Sequence, residues 1–264
     1  MNDKPRKVRA DELVVRLGLA DSRSQAKALI LAGDVRSGDR VISRPAEMLD
    51  DALPLTLKAK LPYVSRGGLK LEHALDAFGI DVDGVVAADL GASTGGFTDC
   101  MLQRGARRVY AIDVGYGQLD YKLRSDDRVV VMERVNARHL ETLPEPVDLV
   151  TIDVSFISLA LILPVAYRLL SDSGACIALI KPQFEAGKEK VGKGGVVRDP
   201  QVRREVITLT IETARDVGFA ARGLVRSPIT GPAGNVEFLI WLSKQTETDI
   251  GAAIDAAIAR EVGE

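Results

Sequence analysis

Four ionisable residues stand beside apolar segments, where a charged side chain is costly unless it is paired or used. Asp153 follows the apolar segment of DLVTIDV, Lys181 directly follows CIALI, and Glu237 directly precedes FLIWL. Lys70 lies in SRGGLKL, ahead of the first long apolar segment. Two lysines and two carboxylates can transfer a proton if they meet at one site, or they can form two buried ion pairs that stabilise a sheet edge. Both interpretations require strands that bring these residues together.

A glycine turn lies in the stretch ADLGASTGGFTDC, residues 88–100, between an apolar segment and a predicted helix start. Glycines let the backbone approach a ligand closely. Asp113 closes the next apolar segment, where a carboxylate can bind the hydroxyl groups of a ribose. The pattern therefore predicts a cofactor with a nucleoside, and a tight turn that binds no ligand is the alternative. The candidate cofactor-binding residues are Asp89, Gly91, Ala92, Ser93, Gly95, Gly96, Asp113 and Asn136.

Two nucleotide-binding fingerprints come close to matching. The dinucleotide pattern G-x-G-x-x-G needs a glycine where this turn has Ser93, so a nicotinamide oxidoreductase is kept only as an alternative. The stretch GKEKVGKG, residues 187–194, begins like a phosphate-binding P-loop, but Gly194 replaces the magnesium-binding Ser or Thr. We therefore expect no nucleotide hydrolysis there. We expect instead a flexible basic flap over a substrate, or a solvated loop, within a mobile segment over residues 183–199.

Strands and helices alternate from residue 85 onward, which favours an α/β fold with a doubly wound sheet and helices on both faces. An amphipathic helix is expected before them, after Ser65-Arg66-Gly67-Gly68 and as far as Phe78. Ligands of such sheets bind at the carboxyl ends of the parallel strands, and an antiparallel last strand begins at the same edge. The predicted strands are 85–90, 108–113, 129–132, 147–153, 175–181, 219–226 and 235–242. The predicted helices are 96–104, 158–170, 200–217 and the segment DIGAAIDAAIAREV, residues 249–262.

A small α+β unit is predicted ahead of the sheet. Its pattern indicates helix, turn, helix, turn and strand, with Asp21 or Ser22 capping the second helix and a hairpin around residues 37–39. The spacing AxSRSQAxxLIxxGxVxxxG resembles the S4-like RNA-binding fold, which implies binding of structured RNA through the two helices and the following turn. The candidate RNA-binding residues are Arg16, Arg23, Lys27, Arg36, Arg40 and Arg66. The predicted division is an S4-like domain over 1–58, a linker over 59–68 and a catalytic domain over 69–264.

The order Lys, Asp, Lys, Glu resembles the catalytic tetrad of RNA ribose 2′-O-methyltransferases of the FtsJ-like class. With the N-terminal unit added, the whole chain resembles the TlyA, or haemolysin A-like, family. This second resemblance rests on SRGGLKLEHAL, DLGASTGGFTDC, DVGYGQLDYKLR, ERVNAR, DVSFISL and IKPQFE. It implies a Rossmann-like methyltransferase sheet, S-adenosylmethionine as cofactor, and methylation of cytidine ribose 2′-hydroxyl groups in the ribosomal RNA of ribosomal subunits. The implied tetrad is Lys70, Asp153, Lys181 and Glu237.

The chemistry of such a reaction suggests a role for each member. A ribose hydroxyl must lose its proton as it attacks a methyl group. A second cation beside a buried lysine lowers the lysine pKa, so the lysine can be neutral near pH 7 and accept that proton. We expect Lys181 to be the base and Lys70 to supply the second charge and orient the hydroxyl. The two carboxylates would hold the lysines. Phe156 and Phe184 are expected either to stack on the target nucleotide or to pack in the core.

The net charge of −2 is unevenly distributed along the chain. Residues 1–70 contain 14 lysines and arginines against 9 acidic residues, whereas the remainder carries a net charge of −7. A basic segment on an acidic body is typical of an RNA-facing arm on a catalytic domain. This distribution leaves open a second hypothesis, a ribosome-assembly protein that binds RNA without catalysis.

Cysteine spacing and hydropathy exclude several other classes. The two cysteines lack metal-ligand spacing, the first residues lack a signal-peptide pattern, and no apolar segment is long enough to cross a bilayer. We therefore expect a cytoplasmic protein with no metal and no membrane contact. A secreted pore-former is the weakest hypothesis, and nothing indicates an obligate protein partner.

Overall fold

The structure is a computed structural model that describes residues 6–58, 61–245 and 248–259. The chain divides into two compact units, Met1–Lys60 and Leu61–Glu264. No helix among the described residues is both long enough and apolar enough to cross a membrane.

The first unit has two helices, α1 (Ala10–Arg16) and α2 (Arg23–Leu31), and five short strands. Ser22 caps α2, since its hydroxyl accepts a hydrogen bond from the Gln25 N–H. The strands are β1 (Lys7–Arg9), β2 (Val35–Ser37), β3 (Arg40–Val41), β4 (Met48–Asp50) and β5 (Thr56–Leu57). The predicted helices and hairpin are present, and the pairings of β1 with β4 and of β2 with β5 add to them. Strands of two or three residues are too short to show a clear alternation of apolar and polar residues, so these pairings could not be predicted.

The second unit is built on one seven-stranded sheet in the order β11-β12-β10-β9-β6-β7-β8. Its strands are β6 (Val86–Leu90), β7 (Arg108–Asp113), β8 (Val129–Glu133), β9 (Val147–Ile152), β10 (Leu170–Ile180), β11 (Ala220–Arg226) and β12 (Phe238–Ser243). All neighbouring pairs are parallel except those that β12 makes with β10 and β11. The order reverses between β6 and β9, which is where an open α/β sheet leaves a crevice for ligands. The predicted sheet and its antiparallel last strand are confirmed.

Helices cover both faces of this sheet, as predicted. They are α3 (Gly67–Phe78), α4 (Gly96–Gln103), α5 (Tyr121–Arg124), α6 (Leu163–Leu169), α7 (Pro182–Glu185), α8 (Pro200–Val217) and α9 (Gly251–Ala259). Successive strand residues point to opposite faces, so Ala87 packs with α3 and α4 while Ala88 packs with α6 and α8. The strands of the sheet interior are therefore mainly apolar on both faces, which made them easy to predict.

The predicted boundaries differ from the structure where local turns intervene. Strand β10 begins at Leu170 instead of residue 175, and β12 begins at Phe238 instead of residue 235 because residues 231–235 close a turn. The predicted helix 158–170 is a short 3₁₀ helix, Leu159–Leu161, followed by α6. Pro164 lies in the first turn of α6, where its missing N–H is tolerated, whereas it would break a continuous helix. Residues 260–262 of the predicted last helix lie outside the described residues.

The segment predicted as a linker, residues 59–68, is part of the second unit from Leu61 onward. Tyr63 is buried, the Val64 N–H donates to Asp99 at 2.8 Å, and α3 already begins at Gly67. A Cβ on Gly68 would overlap the Tyr63 side chain. The glycine pair that resembles a structure breaker therefore allows close packing at the start of the helix.

The segment 183–199 is also more structured than predicted. It contains part of α7, a 3₁₀ turn at Lys188–Lys190 and an isolated bridge between Gly192 and Val196. The Glu185 carboxylate accepts hydrogen bonds from the Ser158 hydroxyl and the Leu159 N–H. The prediction of a mobile loop rested only on the local glycine and lysine content, which gives no information on such long-range contacts.

Candidate active site

Lys70 and Glu237 form a buried ion pair across 167 positions of sequence. Lys70 lies in the first turn of α3, and Glu237 directly precedes β12, whose antiparallel direction places its start at the carboxyl edge of the sheet. Both residues are more than nine-tenths buried. A buried charge of this kind requires its partner, because removal of either one leaves the other unpaired.

Lys181 and Asp153 form a second ion pair at the same edge. The Lys181 Nζ lies 2.7 Å from Asp153 Oδ1 and donates a hydrogen bond to the Ser155 hydroxyl at 2.8 Å. Lys181 directly follows β10 and is only 8% exposed, while Asp153 directly follows the neighbouring β9. Adjacent parallel strands thus bring together side chains that are 28 positions apart. All four predicted tetrad residues are present as two ion pairs.

The glycine turn follows β6 and leads into α4. The Gly91 N–H donates to the Ile112 carbonyl, and a Cβ on Gly91 would lie 2.7 Å from the Asp153 carbonyl oxygen. Gly91 and Gly95 both have positive φ, at 89° and 95°, and Ser93 adopts φ 50°. The turn therefore needs glycine for conformation at two positions, and it passes against the tetrad.

Asp113 anchors this turn from the end of β7. Its carboxylate accepts hydrogen bonds from the Ser93 N–H at 2.8 Å and the Gly115 N–H at 2.7 Å. Asp113, Ser93 and Asn136 all line one cavity of about 470 Å³, which we call the Asp113 cavity. A half-buried carboxylate at a nucleoside-sized cavity fits the recognition of ribose hydroxyl groups.

Asp89 lies beneath the turn and is fully buried. It accepts hydrogen bonds from the Thr98 N–H at 3.0 Å, the Thr98 hydroxyl at 2.7 Å and the Thr151 hydroxyl at 2.9 Å. Burial raises the pKa of Asp89 from 3.8 to about 6, although these hydrogen bonds counteract the rise. Asp89 thus holds the first turn of α4.

A second cavity, of about 400 Å³, lies on the other side of Gly91. We call it the Lys70 cavity, since Lys70, Arg66 and Asp153 line it together with the loop Ile229–Pro232. Gly91, Ser93 and Asp153 line both cavities. The two spaces therefore meet at the glycine turn and Asp153, so that a molecule in each would bring reacting groups together there.

The second unit matches a known family over nearly its whole described length. The model of the FtsJ-like methyltransferases matches residues 63–244. The chain belongs to the FtsJ-like methyltransferase family. A second model, the S4 domain, matches residues 8–52. Membership in the FtsJ-like family makes the chain an enzyme that transfers methyl groups, and the sheet and tetrad belong to that domain.

Named relatives are similar over both units. The 16S/23S rRNA (cytidine-2′-O)-methyltransferase TlyA of Mycobacterium tuberculosis is 47% identical over 264 residues, covering 98% of either chain. The rRNA methyltransferase YqxC of Bacillus subtilis is 52% identical over 244 residues, covering 90% of this chain and 86% of that protein. A solved structure described as a hemolysin, from Streptococcus thermophilus, has a TM-score of 0.75 and 45% identity, covering 97% of this chain and 96% of that one. The predicted resemblance to the TlyA group of FtsJ-like methyltransferases is confirmed.

The predicted RNA-binding cations of the S4 domain differ in their surroundings. Three of them have acidic partners: Arg16 lies 3.7 Å from Asp51, Arg23 lies 3.1 Å from the buried Asp11, and Arg40 pairs with Glu47. Lys27 is exposed, and Arg36 is half-buried. In the methyltransferase domain, Arg66 is exposed and lines the Lys70 cavity. Ion pairing reduces the charge that some of these arginines present, which the sequence pattern alone did not indicate.

Phe156 has an unusual conformation beside the tetrad. It is 90% exposed and has a positive φ of 64°, which is rare and strained for a bulky residue. Its ring packs against Phe184 at a centroid distance of 4.9 Å, and the Lys181 Nζ lies 5.9 Å from the Phe184 ring. The alternative of a core residue is therefore wrong for Phe156, which presents its ring to solvent.

Sequence reasoning missed Ser155 and the partners of Asp89. Ser155 binds Lys181, and its only signal in the sequence is its place two residues after Asp153 in DVSF. Thr98 and Thr151 are nine and 62 positions from Asp89, and they became identifiable only when the sheet and α4 were in place. Short polar residues of this kind are common in every strand and turn, so they carry little pattern information.

Proposed function

We propose that this methyltransferase transfers the methyl group of S-adenosylmethionine to the ribose 2′-hydroxyl of cytidine in ribosomal RNA, with Lys181 as the general base. The observation that carries the proposal is the pairing of Lys181 with Asp153, a residue that lines both cavities. The relative TlyA of M. tuberculosis is named for 16S and 23S rRNA, so the proposal extends to both ribosomal subunits.

The Asp113 cavity fits the nucleoside of the cofactor. Asp113 would hold the ribose hydroxyl groups, and Asn136 would lie near the adenine. Gly91, where a Cβ would strike the Asp153 carbonyl, lets the turn pass close to the methionine end. When bound, S-adenosylmethionine supplies the methyl group, and its sulfonium sulfur is the leaving group, which keeps the electron pair of the sulfur–methyl bond.

The Lys70 cavity is where the target ribose would enter. Lys70, held by Glu237, would donate a hydrogen bond that orients the 2′-oxygen toward the methyl carbon. Lys181 would accept the proton of the hydroxyl at Nζ as the oxygen–carbon bond forms. Asp153 and Ser155 hold that nitrogen in place. General-base assistance is worth roughly 10²–10⁴-fold, and alignment of the two reactants contributes further.

The S4 domain would bind the RNA through its cations, among them Lys27 and Arg36.

Phe156 would stack on a base beside the reacting nucleotide, since an exposed ring in a strained backbone suits a binding function. Phe156→Leu should lower kcat/KM for RNA by about 5- to 150-fold, the equivalent of one lost stacking contact, whereas Phe156→Tyr should retain it. Equal loss in both variants would refute a stacking role.

The test of the proposal is transfer of a labelled methyl group from S-adenosylmethionine to purified ribosomal subunits that lack the modification. Lys181→Arg is the sharpest variant, because arginine keeps the ion pair with Asp153 but cannot act as a base at neutral pH. We expect wild-type transfer to map to a ribose 2′-oxygen and Lys181→Arg to fall by roughly 10²-fold or more. Calorimetry with S-adenosylmethionine checks that the variant still folds and binds the cofactor.

Three other results would contradict parts of the proposal. Retained transfer by Lys181→Arg would remove Lys181 as the base while keeping the reaction. Transfer that maps to a base atom would refute ribose methylation. RNA binding without any transfer by the wild type would favour the hypothesis of an assembly protein.

A further inference from the structure

A strongly basic segment lies next to the tetrad and has no part in the chemistry described above. Residues 187–198, which we call the basic strap, contain three lysines and one arginine against the single acidic Glu189. The strap therefore has a net charge of +3, on a body whose residues 71–264 have a net charge of −7. Its four cations are exposed: Lys188, Lys190, Lys193 and Arg198.

The strap is built into the domain and is not a loose loop. The side chain of Asn235, only 2% exposed, accepts a hydrogen bond from the Val197 N–H at 3.0 Å and donates one to the Gly195 carbonyl at 2.8 Å. The Arg203 guanidinium, also buried, donates to the Val197 carbonyl at 3.0 and 2.8 Å. Buried polar groups that bind a loop backbone on both sides fix its position.

The same anchors join the strap to the wall of the Lys70 cavity. Asn235 lies two residues before Glu237, and its carbonyl accepts the Gly231 N–H at 2.9 Å. The loop Ile229–Pro232, which that bond closes, lines the Lys70 cavity. The other end of the strap begins six residues after Lys181. Both ends of the strap are thus tied to elements that hold a tetrad lysine or its partner.

We propose that the basic strap binds the phosphate backbone of the RNA strand whose ribose enters the Lys70 cavity. This inference rests on the proposed function, because it names the strap as the place where the methyltransferase domain contacts its substrate. Exposed cations on an otherwise acidic body attract a polyanion, and their fixed position sets the register of the strand relative to Lys181. The Gly192–Gly195 turn leaves space for the close approach of a backbone, since a Cβ on Gly194 or Gly195 would meet nothing within 4 Å.

The test uses the full-length chain with Lys188→Gln and Lys193→Gln together. Lys190 is left in place because it pairs with Glu205 at 2.8 Å. The control is Arg107→Gln with Arg108→Gln, which removes two positive charges at the amino edge of the sheet, opposite the tetrad, where both arginines pair with Glu145. Binding of a fluorescently labelled single-stranded RNA is measured at a series of salt concentrations, and methyl transfer to unmodified ribosomal subunits is measured in parallel.

We expect the strap variant to bind RNA more weakly at low salt and to flatten the salt dependence. Each phosphate contact to a single strand contributes about 0.7 to the logarithmic slope, so two contacts reduce it by about 1.4. When salt is raised from about 50 to 200 mM, the factor by which RNA affinity falls would then be roughly sevenfold smaller for the variant than for the wild type. KM for subunits should rise, while cofactor affinity stays unchanged. The control variant should keep the wild-type slope and KM.

The possible failures are distinguishable. If the strap and control variants show the same slope and the same KM, the strap is not an RNA contact, and methyl transfer by the wild type would still stand. If the wild type transfers no methyl group to RNA but the strap variant still flattens the slope, the proposed function falls and the strap remains an RNA-binding surface.

Discussion

Asp89 is a carboxylate buried in the centre of the methyltransferase domain without a cation among its hydrogen-bond partners. Thr98 and Thr151 donate its three hydrogen bonds. We predict that Asp89→Asn changes the pH dependence of stability in a defined direction. Asparagine keeps the shape and can accept from Thr98 while donating to the Thr151 oxygen, but it has no charge to desolvate.

The magnitude follows from the shift in pKa. Burial raises the pKa of Asp89 from 3.8 to about 6, a difference of roughly two units at about 1.4 kcal/mol each, or about 3 kcal/mol. Below about pH 4 the group is protonated in both the folded and the unfolded chain, so it costs nothing. As the pH rises through about 6, Asp89 ionises in the unfolded chain before it ionises in the folded protein. The free energy of unfolding of the wild type therefore decreases over this range. The free energy of unfolding of Asp89→Asn minus that of the wild type should therefore increase by about 3 kcal/mol between about pH 4 and pH 8.

The assay is urea unfolding followed by the fluorescence of Trp241, the single tryptophan of the chain, which lies in β12 of the same domain. Other groups titrate alike in both proteins, so the difference isolates Asp89. Thr151→Val is a second arm: it removes a hydrogen bond that lowers the pKa, so it should destabilise the wild type more at high pH than at low pH. A difference between Asp89→Asn and wild type that does not change with pH would refute the reasoning.

Three further predictions concern the turn, the tetrad and the S4 domain. Gly91→Ala should abolish cofactor binding in calorimetry, because the positive φ is strained for alanine and its Cβ would lie 2.7 Å from the Asp153 carbonyl; binding within a few-fold of wild type would contradict this. Lys70→Met should lower the free energy of unfolding by about 3–5 kcal/mol because it leaves Glu237 buried and unpaired, and adding Glu237→Leu should restore most of it, as urea titration would show. For Asp11, hydrogen bonds from Arg9 and then Arg23 lower the pKa to about 2, so its stabilisation is present above about pH 4 and is lost as the pH falls through about 2. Asp11→Asn should therefore destabilise the S4 domain at neutral pH by about 2 kcal/mol and less in acid, measured by circular dichroism; equal destabilisation at both would exclude this linkage.

The sequence alone predicted the parallel sheet and the four ionisable residues that meet at its edge. Strands such as β7 have the predicted bounds because the interior of a buried parallel strand is apolar and charged residues stand at its two ends. Asp113 was identifiable because it ends such a strand, and Asp153 and Lys181 because they directly follow one, since parallel strands all end at one edge. These inferences need only the local pattern of apolar residues and a general rule of sheet topology.

Contacts between distant segments were decided by the tertiary structure. Glu237 meets Lys70 across 167 positions because β12 runs antiparallel beside β10, and Arg23 meets the buried Asp11 because α1 packs on α2. Asn235 turns a glycine- and lysine-rich segment, predicted to be mobile, into a fixed strap. A side chain's type shows which partners it can bind, but which partner it reaches depends on the packing of elements far apart in sequence. That packing is determined by the sum of many weak apolar contacts, and no short stretch of the chain contains it.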